Sequence, residues 1–143
     1  MRRIEVERIV DAPPGEVFAR YTDHAGWSEW AGAGKVTLAR EGRPERNGVG
    51  CVRAFESALG LQEEVTEFDP PSYMAYRIVR GGFPIKNHRG DVRFEPHARG
   101  TRIVWSVEFE SRIPLSERAL GRFLGRMFRT LLERFDRRAL AHA

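Results

Sequence analysis

The chain reads as an α+β protein in which an antiparallel sheet packs against one long C-terminal helix. Two observations predict this. Leu120, Phe123, Leu124, Met127, Phe128, Leu131, Leu132 and Phe135 recur at spacings of three and four, which places them on one apolar stripe of a helix. Before that stripe, roughly seventy residues alternate between apolar and polar in segments separated by turn residues. A stripe of that kind has to be buried. In 143 residues the sheet is the partner available, and the length fits one domain over 1–143.

The elements follow in order. Residues 3–10 alternate, with Ile4, Val6 and Val10 on one side and Arg8 sharing their parity. Asp11-Ala12-Pro13-Pro14 ends that strand and opens a short helix, because prolines suit a first turn whose N–H groups have no partner. A second short helix or turn near Asp23 to Trp30 carries His24, Trp27 and Trp30. Strands are expected near 35–41, 49–57, 61–69, 72–80, 86–95 and 101–111, with turns at Asn47-Gly48, Asp69-Pro70-Pro71-Ser72, Gly81-Gly82 and Pro96–Gly100. The long helix is expected from Pro114 to Ala143, with Arg118, Arg122, Arg126, Arg129 and Arg137 mostly on its outer side.

Composition narrows the function classes. The net charge is +4, but the arginines are spread along the chain and mixed with acids, so nucleic acid is not an expected partner. No apolar run approaches the ~18 residues of a membrane span, and the charged opening Met1–Arg8 is unlike a signal peptide. A cytoplasmic location is the default expectation. The basic back of the long helix offers contact with an anionic membrane surface, without stable insertion. The lone Cys51 makes no internal disulfide. His24, His88, His97 and His142 lack metal-ligand spacing, and Ala31-Gly32-Ala33-Gly34 lacks the strand-to-helix context of a phosphate cradle. No metal and no cofactor are expected.

Several stretches carry a family resemblance: Val10-Asp11-Ala12-Pro13-Pro14-Gly15-Glu16-Val17-Phe18, Gly50-Cys51-Val52-Arg53, Glu63–Pro71 with Met74-Ala75-Tyr76-Arg77, and Gly100–Trp105. Together they cover the whole chain. In that order they resemble the START/birch-pollen-allergen-like superfamily, in its polyketide cyclase/dehydrase and lipid transport branch. The resemblance implies a helix-grip fold, with about seven antiparallel strands wrapped around the C-terminal helix over a hydrophobic cavity. It implies a binder of a hydrophobic small molecule, lipid or polyketide-like. Two alternatives stay open, a polyketide cyclase/aromatase and a protein-interaction domain, because the fold hosts all three. The open sheet edges permit a homodimer.

Strand parity selects the candidate ligand-binding residues. Arg53, Glu63, Tyr76 and His88 fall on inward faces of neighbouring strands, and Arg8 joins them from the first. A buried Arg and Glu need each other, so Arg53 and Glu63 are the natural pair. In the enzyme alternative, Arg53 steadies an enolate while His88 or Tyr76 moves a proton. Trp27 is expected at the cavity entrance and Trp105 on the inner face of the last strand. Phe123, Met127, Leu131 and Phe135 are expected in the roof. Replacing Arg53 by alanine is expected to remove ligand binding and leave the protein folded. No catalytic residue is assigned.

Overall fold

The computed structural model describes residues 1–140. The elements run β1 (Arg2–Val10), α1 (Pro14–Tyr21), α2 (Trp27–Trp30), β2 (Val36–Arg40), β3 (Val52–Phe55), β4 (Gln62–Asp69), β5 (Tyr73–Arg80), β6 (Ile85–His97), β7 (Gly100–Ser111) and α3 (Glu117–Arg134). The seven strands form one sheet in the order β1-β7-β6-β5-β4-β3-β2, with β1 and β2 at its edges. Every neighbouring pair is antiparallel. The long jump from β1 at one edge to β2 at the other is spanned by α1 and α2. This is a helix-grip arrangement, with α3 packed across one face of the sheet.

Period-two alternation puts Val6, Val65, Met74, Val92, Phe94, Ile103 and Phe109 in the core, and α3 closes over them with Leu124, Phe128, Leu131 and Leu132. Gly90 of β6 pairs with Tyr76 of β5 in register. A side chain at Gly90 would collide with the Tyr76 ring, so the glycine makes room for that phenol in the sheet.

The helix differs from its expected length at both ends. It starts at Glu117, because Leu115 takes a left-handed backbone (φ 64°) and the Ser116 hydroxyl hydrogen-bonds the Ile113 carbonyl (2.7 Å). It gives way at Phe135 to a π-helical turn, Phe135–Ala139, whose wider ring is closed by Leu140 N–H on the Phe135 carbonyl (3.3 Å). That turn buries Phe135 against Tyr21 (5.7 Å) and Trp30 (5.1 Å). His142 lies outside the described residues. No helix among the described residues is long and apolar enough to cross a membrane.

Candidate functional site: a buried ion pair under a small cavity

The site begins with strand register. Arg53 on β3 stands directly opposite Glu63 on β4, and both point inward. Arg53 is 1% exposed. Its Nε and Nη2 both donate to a single carboxylate oxygen, Glu63 Oε1, at 2.9 and 2.8 Å. Its Nη1 faces His24 Nδ1 at 3.4 Å, and His24 Nε2 lies 3.0 Å from the Asn47 carbonyl. A carbonyl only accepts, so His24 is the neutral Nε2–H tautomer, with Nδ1 accepting from Arg53. Trp27 (4.7 Å) and Tyr76 (4.8 Å) place their rings against the guanidinium.

Electrostatics follow from burial. Desolvation would weaken the Arg53 charge, but Glu63 reverses this and raises its pKa. Burial pushes the Glu63 carboxyl up, and Arg53 only partly offsets that. His24 is held down to about 3, first by burial and then by Arg53. His88 is held down to about 4 for the same two reasons. Burial also raises the Cys51 thiol, which makes it a poor nucleophile.

The ion pair lies in the wall of an otherwise apolar cavity of about 80 Å³, which is also lined by Trp27, Trp105, Met127 and Leu131. A smaller cavity of about 40 Å³ adjoins it, sharing Glu63 and Met127 and reaching His88. Trp105 stacks on Phe128 of α3 (4.3 Å) and donates Nε1–H to the Tyr76 hydroxyl (2.8 Å). Ala33, Ala58 and Phe83 complete the larger cavity from three connecting loops. Two of these loops are tied together by the Ser57 hydroxyl on the Ala33 carbonyl. A side chain at Gly81 (φ 66°) would reach the Gly60 carbonyl oxygen at 2.5 Å, so the second and third loops touch backbone to backbone.

Of the nine residues selected from sequence, Arg53, Glu63, Trp27, Trp105, Met127 and Leu131 line the larger cavity, and His88 lines the smaller. Tyr76 and Phe123 line neither. Tyr76 sits beside the Arg53 guanidinium, fully buried. Phe123 is 54% exposed, because Leu124 takes the inward position in that turn of α3; Phe123 packs on Phe83 (5.8 Å) on the outside. Trp27 is not an entrance residue. It is buried, with Nε1–H donated to the Tyr21 carbonyl (2.8 Å). Arg8 shares the inward parity but lies beneath the π turn, paired with Asp136 (2.8 Å). Neither expected proton carrier is a ready base. The Tyr76 hydroxyl is shifted upward by burial, and His88 Nδ1 accepts the Ile78 N–H (3.1 Å), leaving its proton on Nε2. Two buried residues of the site carry no signal in the sequence: His24, which enters there only through its lack of metal-ligand spacing, and Tyr21, whose hydroxyl is buried with no hydrogen-bond partner among the described residues. Among those residues no three His, Cys, Asp or Glu side chains converge as a metal site needs.

The architecture recurs in solved structures. The protein XoxI from Bacillus cereus superposes with a TM-score of 0.77 at 13% identity, over 96% of this chain and 94% of that one. A protein from Thermobifida fusca gives 0.72 at 26% identity, over 99% and 96%. The di-domain ARO/CYC protein BexL of the BE-7585A biosynthetic pathway gives 0.77 at 17% identity, over 96% of this chain and 46% of that one. Among curated proteins none matches the chain in sequence. In sequence, residues 1–140 match the family described as polyketide cyclase/dehydrase and lipid transport. The strand order, the gripped helix and this match over nearly the full length agree: the chain belongs to the polyketide cyclase/dehydrase and lipid transport family.

Proposed function

We propose that the chain, acting as one domain, binds a flat hydrophobic molecule of lipid or polyketide type in the cavity beneath α3, with an oxygen of the ligand held at the Arg53–Glu63 pair. One observation carries this reading. Arg53 spends Nε and Nη2 on Glu63 Oε1 alone, and no described residue hydrogen-bonds Oε2. A pair with a purely architectural role gains more by pairing both oxygens in a parallel fork. Here the guanidinium has five N–H groups, three of which are engaged, so donor and acceptor capacity is left at a cavity wall. An apolar pocket with a few convergent polar groups is the ordinary form of a small-molecule site.

Size sets a condition on this reading. Cavities of about 80 and 40 Å³ are well below the roughly 300 Å³ of a drug-sized pocket. A ligand with a ring system therefore enters by spreading the loops that carry Ala33, Ala58 and Phe83 from Met127. The second reading, a cyclase-type enzyme, is favoured by one specific feature: a raised Glu63 carboxyl with a free oxygen suits a proton donor. In that case Glu63, rather than His88 or Tyr76, moves the proton.

Native mass spectrometry of freshly purified protein tests the binding reading. A discrete added mass, lost on denaturation and absent from Ala58→Trp, is expected. A bare mass, together with no saturable quenching of tryptophan emission by 1-naphthol, would sink it.

A further inference from the structure

A second cleft, of about 370 Å³, lies between α3 and the edge strand β1 and shares no residue with the cavity. Four arginines line it: Arg2 from β1, and Arg122, Arg126 and Arg129 from α3. Its helix side is opened by Gly121 and Gly125, both buried. Arg2 has the inward parity of β1 and crosses the helix where it lacks a side chain; a Cβ at Gly121 would stand 3.2 Å from Arg2 Nε. That Nε is buried and has no hydrogen-bond partner among the described residues. The one acid of the cleft, Glu5, is engaged elsewhere, accepting from Ser106 Oγ (2.9 Å) and Arg3 Nη2 (3.3 Å).

Some surface arginines outside the cleft, such as Arg43, Arg80 and Arg118, also have no carboxylate partner among the described residues, but many have one. Arg3, Arg40, Arg77, Arg89, Arg99 and Arg102 each pair with a carboxylate. Among the described residues none of the four cleft arginines does. Like charges at i and i+4, as at Arg122 and Arg126, work against the helix. A cleft that gathers four unpaired guanidiniums around one donor already lacking a partner is complementary to a compact dianion.

We infer that this cleft binds a phosphate group. A single carboxylate would satisfy one guanidinium fork, whereas a phosphate dianion accepts from several at once. The phosphate comes from a lipid headgroup or from a free phosphorylated metabolite. The site is independent of the cavity reading.

The test is calorimetric titration of the full chain with inorganic pyrophosphate. Saturable binding is expected, weakened about tenfold or more in Arg126→Gln/Arg129→Gln, the equivalent of losing at least one charge-assisted contact. Arg118→Gln is the control. It lies on the same exposed face, also has no carboxylate partner among the described residues, and does not line the cleft. It should change affinity by less than about twofold. Co-sedimentation with vesicles separates the sources. Binding to phosphatidylcholine vesicles carrying phosphatidylglycerol, displaced by pyrophosphate and weakened in the double variant, supports the site and assigns it to a headgroup. Pyrophosphate binding without sedimentation supports the site and assigns it to a free metabolite. Absence of saturable pyrophosphate binding overturns the inference, whatever the vesicles do. An equal loss in Arg118→Gln also overturns it, since that would mean diffuse charge attraction.

Discussion

Arg53 and the arginines of the outer cleft carry the same charge in opposite settings. Arg53 is enclosed, covered by two aromatic rings, and satisfied by an acid and an imidazole. Arg122, Arg126 and Arg129 are exposed on α3 with no carboxylate partner among the described residues. Burial forces a partner, because an isolated ion in a low-dielectric interior is too costly to keep. Exposure forces nothing, so the missing partners of the outer group are a property of the surface rather than a requirement of folding. Mutation should therefore have large stability effects inside and small ones outside.

The largest effect is expected at Arg53. Removing one member of a buried pair leaves the other uncompensated and costs about 3–5 kcal/mol. Arg53→Ala is thus expected to be severely destabilised, an expectation that differs from the folded variant read from sequence. Removing both charges in Arg53→Met/Glu63→Leu should recover most of the loss, measured as urea unfolding free energy. If the single variant stays within about 1 kcal/mol of wild type, the pair is not a buried one in energetic terms. The recovered double variant also gives a folded protein in which to ask whether ligand binding needs the pair.

Next come the two histidines. Each has a folded pKa below the ordinary value of about 6.5, about 3 for His24 and about 4 for His88. The folded state therefore favours the neutral rings. Their contribution is fully present above the unfolded pKa and is lost as pH falls toward the folded one. Between about pH 7 and about pH 5, each should cost on the order of 2 kcal/mol. His24→Asn should flatten roughly half of that pH dependence in chemical denaturation. An unchanged slope would mean that His24 is not held neutral beside Arg53.

A smaller effect is expected one layer below the guanidinium. Tyr76→Phe removes the acceptor for Trp105 Nε1–H and strands a buried donor, at a cost of about 1–3 kcal/mol. Trp105→Phe/Tyr76→Phe removes both partners and should lose less from the hydrogen bond than the sum of the singles. Full additivity in the cycle would show that the two groups do not interact.

How legible these features were depends on periodicity. Alternation over β3 and β4 put Arg53 and Glu63 on inward faces, and antiparallel pairing then set them opposite each other. The apolar stripe of α3 identified Leu124, Phe128 and Leu132 as core for the same reason. His24 had no such signal. It sits in the irregular Asp23–Gly26 connection between α1 and α2, where no repeat tells the side chain's direction. The stripe also overreached. It spans more of the helix circumference than the sheet covers, so Phe123 at its margin faces solvent. Cavity size was not readable at all, since it depends on how tightly Trp105 and Phe128 stack rather than on which residues are apolar.

The smallest predicted effect tests the outer half of the comparison. Arg126 has Arg122 one turn before it and Arg129 one turn after it on α3, and no carboxylate partner among the described residues. Replacing it by glutamine removes two like-charge neighbours and keeps a good helix former. Stability should rise by a few tenths of a kcal/mol at low salt. The gain should shrink as ionic strength approaches physiological values, because screening already weakens the repulsion between exposed charges. A loss of about 1 kcal/mol or more would mean that Arg126 has a stabilising partner after all. The outer cleft would then be an extension of the paired surface, and the difference between the two arginine settings would be one of exposure alone. A salt-sensitive gain keeps the distinction: inside, the partner is part of the fold, and outside, the guanidiniums stand ready for an anion the chain does not supply.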